Sequence, residues 1–432
     1  MSPPRRIPYY EGLLMESRKH SCAVFIALAS LFAFQSAGLA KAGFSGGIKF
    51  TGGSKHFKIT QPTPPVQAPP TVNVRAYGAM GDGTTDDTAA IQNAIAAAKA
   101  SGEKVLFPAG TYLHTNVLTA NGVGLVGVGG ASVLLANNPA ASAVILSGMS
   151  PSIQNLVINS APAGSGSFAQ GTNTTTLAVV AAQNFVVQGI TVLQGQSRPG
   201  AYLQQSSIGQ VTSVSFNGSG LGNDIGIVVD GCANTSLMGN SIMNESTGIR
   251  MGAGTFISYS IAAIGNSISA STLGIQTSNT SSMYLAQNSI QVSGTTTAQA
   301  IGIAPTCTGY TVTGNVTSGG LQAIQVIAGA TSSGVISQNI FRNCAGSGAV
   351  LNVTAAGGSV QFISNQFGEC GLTTVAPVIN ASTTGGPDAI VVFSNLYQGH
   401  VNNLNYYILS GQHLDFVAGN TQTQTTLGNL IP

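Results

Sequence analysis

Short apolar stretches alternate with runs of Gly, Ser, Thr and Asn along most of the chain. An Asn begins an apolar stretch every 22–30 residues, at Asn240, Asn266, Asn288, Asn315, Asn339, Asn365, Asn395 and Asn420. This spacing is typical of one coil of a β-solenoid, in which each repeat contacts only its neighbours. The polar runs predict turns, so each coil is expected to hold two or three strands of about four or five residues.

A second pattern, Gly-Ile plus one further residue, accompanies the Asn repeat. It occurs as Gly226-Ile227-Val228, Gly248-Ile249-Arg250, Gly274-Ile275-Gln276 and Gly302-Ile303-Ala304. Equivalent residues of neighbouring coils are expected to stack in columns about 4.8 Å apart. Asn tolerates the left-handed backbone that a sharp corner needs, and its amide can bond to the Asn above and below. We therefore interpret the Asn column as structural.

Residues 74–112 contain the most specific local signal. They predict a short strand, a glycine-rich turn, a helix over 86–101 and a further strand. Asp86 is expected to cap this helix, and one helical face is predicted to hold Ile91, Ala94, Ile95 and Ala98. The nearby Asp82, Asp86 and Asp87 resemble a carboxylate cluster, but turn and cap positions account for all three.

This segment resembles the opening of the pectate-lyase-like proteins, in particular the rhamnogalacturonase/epimerase-type module. The shared pattern is Tyr-Gly-Ala, Gly-Asp-Gly, Thr-Asp-Asp, Ile-Gln-x-Ala-Ile and Phe-Pro-x-Gly-Thr-Tyr, met here at residues 77–79, 81–83, 85–87, 91–95 and 107–112. The resemblance implies an all-β fold, a right-handed parallel β-helix over residues 74–432 with an N-terminal capping helix. It also implies a role related to polysaccharides, without naming a reaction.

The amino terminus has the order of a secretory signal peptide, predicted over residues 1–42. Arg18 and Lys19 precede an apolar run at 23–34, and small residues follow at 40–42. Met15 is an alternative start, and an uncleaved anchor helix is an alternative to cleavage. Residues 43–73 are predicted to be a proline-rich linker. We expect a secreted protein, in the extracellular space, at the cell surface or in the periplasm, with no membrane part after signal removal.

Composition narrows the function classes. Charged residues make up 6% of the chain, against about 25% in an ordinary soluble domain. The hydrophobic fraction of 43% excludes disorder over most of the length. The net charge of +2 comes from the first fifty residues, so the remaining surface offers a nucleic-acid backbone no basic patch. The partner that the family resemblance implies is a polysaccharide.

Five of the nine charged residues between 115 and 432 fall within two to three coils. These are Arg198, Asp224, Asp230, Glu245 and Arg250. The Gly-Ile alignment predicts that Asp224 and Glu245 lie at one corner of adjacent coils, with Arg198 about one coil earlier. Strand alternation predicts that Asp230 and Arg250 point outward. The resemblance implies that all five lie in or beside a substrate groove, as solvent-facing side chains.

Two reactions fit such a cluster on an acidic polysaccharide. A lyase needs a base and a cation that stabilises the enolate, whereas a hydrolase needs two carboxyl groups, one of raised pKa. We assign Asp224, Asp230, Glu245 and Arg250 as candidate catalytic residues. Arg198 and Gln276, which occupies the position of Arg250 one coil later, are candidate substrate-binding residues.

Several features leave other functions open. The repeats lack adjacent Asp-Asp, Gly-His-Gly, Arg-x-Lys and Asp-Pro-His, so no catalytic residue of a related enzyme can be carried over. No dedicated metal site is predicted, although the carboxylates are ligands that Ca²⁺ would accept. The charges are alternatively solvated ion pairs. The alternative function is a non-catalytic surface or matrix solenoid that binds glycan.

Two cysteines share a position in the repeat. Cys344 and Cys370 each follow their Asn by five residues, so they are predicted to stack on adjacent coils and form a disulfide. Two buried thiols in one column are the alternative. Cys232 and Cys307 lie about three coils apart, too far for a bond to each other.

Overall fold

The structure is a computed structural model that describes residues 70–138, 141–161, 174–220, 223–252, 254, 256–370, 378–383, 390–398, 407–411, 414–418 and 421–423. The chain divides into two units, Met1–Gln67 and Ala68–Pro432, and all described residues belong to the second. The predicted signal peptide, almost all of the predicted linker, and Asn420 lie outside them. No helix within the described ranges is long and apolar enough to cross a membrane.

The described chain forms a parallel β-solenoid of about 11 turns. Its strands, numbered in chain order, pair in parallel with the equivalent strands of neighbouring coils and build three sheets. The first sheet contains β1 (Thr71–Asn73), β3 (Lys104–Phe107), β6 (Gly124–Gly127), β9 (Ser152–Gln154), β12 (Val186–Gln188), β15 (Ser207–Thr212), β18 (Ala233–Met238), β20 (Ser258–Ile264), β22 (Thr280–Ser281), β23 (Tyr284–Ala286), β26 (Tyr310–Thr313), β29 (Ser333–Ser337), β32 (Ser359–Ile363), β35 (Ile390–Phe393) and β38 (Leu414–Ala418).

The second sheet contains β2 (Asp82–Asp86), β4 (Gly110–His114), β7 (Ser132–Ala136), β10 (Val157–Asn159), β13 (Thr191–Leu193), β16 (Ser215–Asn217), β24 (Ser289–Val292), β27 (Val316–Gly319), β30 (Ile340–Arg342), β33 (Gln366–Gly368), β36 (Leu396–Gln398) and β39 (Thr421–Thr423). The third contains β5 (Leu118–Asn121), β8 (Val144–Met149), β11 (Leu177–Gln183), β14 (Pro199–Gln204), β17 (Ile225–Asp230), β25 (Gln299–Ile303), β28 (Gln322–Ala328), β31 (Ala349–Val353), β34 (Ile379–Thr383) and β37 (Tyr407–Gly411). Two long strands, β19 (Ser241–Met251) and β21 (Ser267–Thr277), run through both sheets.

The core of the solenoid is built from stacked columns of aliphatic side chains. One column of the third sheet consists of Ile227, Ile249, Ile275, Ile301 and Ile324, which pair in register on successive strands and are all buried. Burial of an Ile side chain contributes about 1.5–3 kcal/mol relative to exposure. The parallel fold predicted from the Asn spacing and the opening motif is confirmed.

Three of the four Gly-Ile pairs have a packing cause, whereas Gly302-Ile303 is out of the predicted phase, because Ile275 pairs with Ile301 and Gly302 pairs with Gln276. A Cβ added to Gly248 would lie 2.3 Å from Cγ2 of Ile268, and one added to Gly274 would lie 2.3 Å from Cγ2 of Ile290. These glycines therefore face the interior at the corner that isoleucines of the second sheet fill. Any larger residue there would overpack the core.

The Asn column is a continuous hydrogen-bond ladder, as predicted. Each side-chain Nδ2 donates to Oδ1 of the Asn one coil later at 2.8–3.0 Å, from Asn240 through to Asn395. The backbone N–H of each Asn donates to the same oxygen. These side chains are almost fully buried, so the ladder satisfies polar groups that water cannot reach.

One expectation about this column is wrong. The left-handed residue is the one before each Asn, as at Gly239 (φ 60°), Gly265 (φ 64°) and Gln287 (φ 55°), and not the Asn itself. The Asn is selected for its amide, because its side chain must donate and accept along the ladder. The preceding residue makes the corner, which explains why Gly often occupies that place.

The opening segment differs in detail from its prediction. Residues Val74–Tyr77 form a 3₁₀ helix rather than a strand, and α1 spans Thr88–Ser101 with Asp87 at its N-cap position. Asp86 belongs to β2 and accepts hydrogen bonds from Thr115 and then Thr88, which lower its pKa to about 2. The carboxylate of Asp87 accepts the backbone N–H of Met80 and Gly81. The carboxylates of Asp86 and Asp87 thus stabilise the glycine-rich turn and the start of the helix by accepting hydrogen bonds.

Helix α1 buries the face that the sequence predicted. Ile91, Ala94, Ile95 and Ala98 are all buried in it, and the helix packs against β1, β3 and β5. The first paired strand begins at Thr71, three residues before the predicted start of the β-helix. A capping function for the helix stays a prediction.

The sulfur atoms of Cys344 and Cys370 are in bonding contact, and their Cα atoms are 4.3 Å apart on adjacent coils. Cys232 and Cys307 are buried free thiols. We expect thiol titration of protein that lacks residues 1–42, and with them Cys22, to find two thiols when it is made in an oxidising compartment and unfolded without reductant, because a disulfide persists there. Prior reduction should raise the number to four. Four thiols without reduction would contradict the disulfide.

Candidate functional site

Four of the five predicted site charges are buried instead of facing solvent. Arg198 is 0% exposed, Asp224 1%, Asp230 2% and Glu245 2%. The expectation of an open groove lined by these side chains is therefore wrong for the four. The physical reason is that turns of the chain fold over the strand ends. Arg250 alone of the five is half-buried.

The turns around residues 194–198 and 217–220 cover the corner between the second and third sheets. Asp224 joins them, because its Oδ1 accepts the backbone N–H of Ser197 at 2.5 Å. Its Oδ2 accepts the backbone N–H of Ser219 at 2.8 Å and the hydroxyl of the same residue at 2.5 Å. Hydrogen bonds of this number stabilise a buried carboxylate that would otherwise be costly.

Glu245 lies beneath the same corner. Nε2 of Gln194 donates to Oε2 of Glu245 at 3.2 Å and to the carbonyl oxygen of Arg198 at 2.9 Å. Oε1 of Glu245 and Oε1 of Gln194 have no hydrogen-bond partner in the described part of the chain. Burial is the main cause that raises the pKa of Glu245 to about 9, and the charge of Asp224 adds to it. The hydrogen bond from Gln194 acts in the opposite direction and lowers this pKa. Glu245 is therefore protonated at neutral pH.

A pocket of about 470 Å³ lies on the outer side of this corner, lined by Ala161, Leu193, Gln194, Gly195, Gln196, Asn217, Gly218 and Ser219. Gly218 in the pocket wall lies directly against Glu245, because a Cβ atom added to Gly218 would be 2.8 Å from Oε2 of Glu245. The pocket and the two carboxyl groups thus form one unit, in which the carboxyl groups are shielded from solvent.

Arg198 shares this corner through its backbone, but its side chain bonds to other main-chain groups. Nη1 donates to the carbonyl of Ala141 and Nη2 to the carbonyl of Asn138, both at 3.0 Å. Burial lowers the pKa of the guanidinium. The side chain thus ties an earlier loop to the third sheet.

Asp230 is separate from the corner. Asp230 is the last residue of β17. Glu245 lies near the other end of that strand, because Thr247, two residues after Glu245, pairs with Ile225 at the start of β17. Oδ2 of Asp230 accepts the hydroxyl of Tyr202 at 3.2 Å. Burial raises the pKa of Asp230, against hydrogen bonds from Tyr202 and the backbone of Gly254. Of the three candidate catalytic carboxyl groups, the structure therefore brings Asp224 and Glu245 together at one corner and leaves Asp230 apart.

Arg250 begins an open row of polar side chains on the outer face of the third sheet. It pairs in register with Gln276, which pairs with Gly302 and then Gln325 on successive strands. Nε2 of Gln299, in the parallel row beside them, donates to Oε1 of Gln325 at 2.7 Å and to Oε1 of Gln322 at 3.3 Å. We call Arg250, Gln276, Gln299, Gln322 and Gln325, all half-buried, the amide strip.

Arg250 makes no hydrogen bond or ion pair with any residue that the structure describes. Its guanidinium is a cation with five N–H donors available to solvent or a ligand. Arg250 and Gln276 were expected from the sequence, whereas Gln299, Gln322 and Gln325 were not. The signal for Gln325 was present, since it follows Ile324 as Gln276 follows Ile275 in the repeat.

Ca²⁺ does not fit the carboxylates of this region. Both oxygens of Asp224 already accept protein hydrogen bonds, and Glu245 carries a proton at neutral pH. No group of three or more His, Cys, Asp or Glu side chains within the described residues is arranged to hold a metal ion.

Comparison with known families decides the relationship of the chain. The model of the rhamnogalacturonase A/epimerase, pectate lyase-like family matches residues 71–297, which is more than half of the 432 residues. The chain belongs to this family. Among curated proteins, no sequence matches the chain.

Solved structures share the fold of this pectate-lyase-like chain. The surface adhesin PfbA of Streptococcus pneumoniae has a TM-score of 0.59 and 14% identity, over 83% of this chain and 97% of the adhesin chain. The catalytic unit of a thermostable alpha-1,3-glucanase from Streptomyces thermodiastaticus has a TM-score of 0.52 and 16% identity, over 83% and 69% of the two chains. The solenoid thus occurs both in an adhesin and in a glycan-active enzyme.

Proposed function

We propose that this pectate-lyase-like protein is exported and binds an acidic polysaccharide along the amide strip. The observation that carries the proposal is Arg250, a half-buried outward cation without a protein partner among the described residues. An arginine that served to stabilise the fold would be expected to bond to a protein group. Arg198, buried and bonded to two carbonyl groups, is the contrasting case.

The chemistry of the strip suits a uronic acid polymer. The planar guanidinium of Arg250 matches a carboxylate in a two-bond arrangement. The glutamine amides each offer donors and acceptors to sugar hydroxyl groups. Columns about 4.8 Å apart present these groups in a row along the solenoid axis. A polymer lying along that axis would meet one polar side chain at nearly every coil.

The test is binding of purified protein to polygalacturonate, alginate and hyaluronan, with neutral dextran as the comparison. We expect Arg250→Gln to weaken binding of the preferred acidic polymer about 10–100-fold, since a hydrogen-bonded charged contact is worth about 1.5–3 kcal/mol. Arg250→Lys should restore part of the loss only, because Lys lacks the planar fork.

Arg342→Gln is the matched control. Arg342 is an exposed arginine in β30 of the second sheet, so this variant loses the same charge from another face. It should bind as the wild type does. Equal weakening in both arginine variants would show a general charge effect, and no binding to any acidic polymer would overturn the proposed function.

Hydrolysis is a second candidate, favoured by one specific observation. Glu245 has the raised pKa of a general acid, and Asp224 supplies the second carboxyl group of such a pair. Access argues against it, because Gly218 and Gln194 separate Glu245 from the pocket. New reducing ends or unsaturated products in the same polymer panel, lost in Glu245→Gln, would establish a hydrolase or a lyase in place of binding alone.

A further inference from the structure

The outer face of the third sheet changes abruptly at Arg250. The side chains that precede Arg250 in its outward row are Tyr202 and then Val228, and both are 0% exposed. The side chains that follow, Gln276 and Gln325, are half-buried and polar. Arg250 therefore stands at a border between a covered and an open part of one continuous face.

The covered part is a second apolar cluster outside the main core. Tyr202, Ile225 and Val228 pack with one another and not with the columns inside the solenoid. Outward side chains of a bare sheet would be exposed, so full burial requires a further layer of chain above them. Apolar surface of this kind resists opening because water would have to enter it.

Part of that layer is visible beside Arg250. A Cβ on Gly254 would lie 2.2 Å from Oδ2 of Asp230, and a Cβ on Gly231 would lie 2.6 Å from Cβ of Phe256. The turn that follows β19 thus lies across the end of β17, on the same face. The amide strip is bounded on this side by packed protein and is open toward the later coils.

We infer that the amide strip binds the end of a polysaccharide chain, with Arg250 contacting the carboxylate of the terminal acidic sugar. This deepens the proposed function and rests on it. An internal segment of a polymer must continue beyond both sides of its site. A chain lying on the strip cannot continue past Arg250, because Val228 and Tyr202 are covered there.

The distribution of charge supports the same arrangement. The single cation lies at the closed end, and the residues beyond it are neutral amides. The strip therefore selects a carboxylate at one position only, that of the terminal sugar, which contacts Arg250. From Arg250 to Gln325 the row crosses three coils, or about 14 Å. Sugars bound further from the end meet hydroxyl-binding groups whether or not they are acidic.

The test compares two polygalacturonate fractions that differ about tenfold in mean length, by calorimetry with the full chain. If chain ends bind, the dissociation constant expressed per chain is the same for both fractions. Expressed per uronate unit, the shorter fraction then binds about tenfold more tightly. Arg250→Gln should weaken both equally, and Arg342→Gln neither.

The possible outcomes separate the two proposals. Equal affinity per uronate unit, with Arg250→Gln still weakening both fractions, would overturn end recognition and leave acidic polysaccharide binding intact. Absence of binding by either fraction would overturn both. Gln325→Ala adds an independent readout, since it should weaken a long oligomer and leave a disaccharide of galacturonate unaffected. Equal loss for both ligands would contradict the inferred direction of the chain.

Discussion

The Glu245→Gln variant is expected to be more stable than the wild type at pH 8, with equal or nearly equal stability at pH 4. The folded-state pKa of Glu245 is raised from 4.5 to about 9. Between these values the folded protein keeps a proton that the unfolded chain releases, so the free energy of unfolding of the wild type falls as pH rises. Glutamine is neutral at every pH, so the free energy of unfolding of Glu245→Gln does not show this fall.

Urea unfolding of both proteins at several pH values from 4 to 9 measures the effect. Each pH unit inside the window contributes up to about 1.4 kcal/mol, so the difference between the proteins should reach several kcal/mol by pH 8. Glu369→Gln, which removes one half-buried carboxyl group from a distant coil, is the matched control for the substitution itself. Parallel pH profiles for the wild type and Glu245→Gln would show that Glu245 is ionised in the folded state.

The sequence predicted that Glu245 faces solvent. If Glu245 faced solvent, its replacement by glutamine would leave the melting temperature nearly unchanged at every pH. The structure shows a carboxyl group that is 2% exposed, with one oxygen unpartnered among the described residues. The pH-dependent gain in stability therefore also tests the burial of the corner.

The Asn288→Ala variant is expected to lose about 3 kcal/mol or more of stability. Oδ1 of Asn288 accepts the backbone and side-chain N–H groups of Asn266, at 3.0 and 2.9 Å. Its Nδ2 donates to the carbonyl of Ala263 and to Oδ1 of Asn315, at 2.9 and 2.8 Å. Alanine leaves the buried backbone N–H of Asn266 without an acceptor, and it removes one hydrogen bond each from the Asn266 amide, the Ala263 carbonyl and Oδ1 of Asn315. A lost bond costs about 0.5–1.5 kcal/mol and an unsatisfied buried group about 1–3 kcal/mol.

Asn352→Ala is the control for this variant. Asn352 is a half-buried strand residue whose Oδ1 accepts one long hydrogen bond, from Ser382 at 3.3 Å. Its loss should change stability by about 0.5 kcal/mol or less. Urea unfolding followed by circular dichroism compares the two variants. A loss for Asn288→Ala no larger than that for Asn352→Ala would mean that water replaces the ladder bonds, against their observed burial.

The sequence predicted the fold because the solenoid repeats its local rules. Asn at the start of successive stretches, Gly-Ile in a second phase and the opening motif all reflect contacts that recur at each coil. The ladder from Asn240 to Asn395 and the Ile column through Ile249 follow directly from that recurrence. The corner conformation was assigned to the wrong residue, since the pattern marks both Gly239 and Asn240 and periodicity alone cannot separate their roles.

The site was less predictable, for a different reason. Strand alternation places Arg250 on the outer face correctly, but it says nothing about what lies over that face. Burial of Asp224 and Glu245 depends on the turns that contain Ser197 and Ser219, which do not repeat from coil to coil. Exposure at such places is set by non-repeating segments, so charge crowding in the sequence located the region without revealing its accessibility.

The direction of the Asn ladder has a consequence for how such chains change length. Every rung donates toward the later coil and accepts from the earlier one, so any rung fits onto any other. Excision of the chain from one Asn up to the next, such as residues 266–287, would leave Asn240 facing Asn288 in the same relation that it had to Asn266. A shorter excision that removes strand residues would misalign the rungs. The turns accept smaller changes, since the spacing of the ladder residues already varies from 22 to 30 residues. The number of strands in each sheet therefore changes only by whole coils, and the length of the amide strip changes in the same steps.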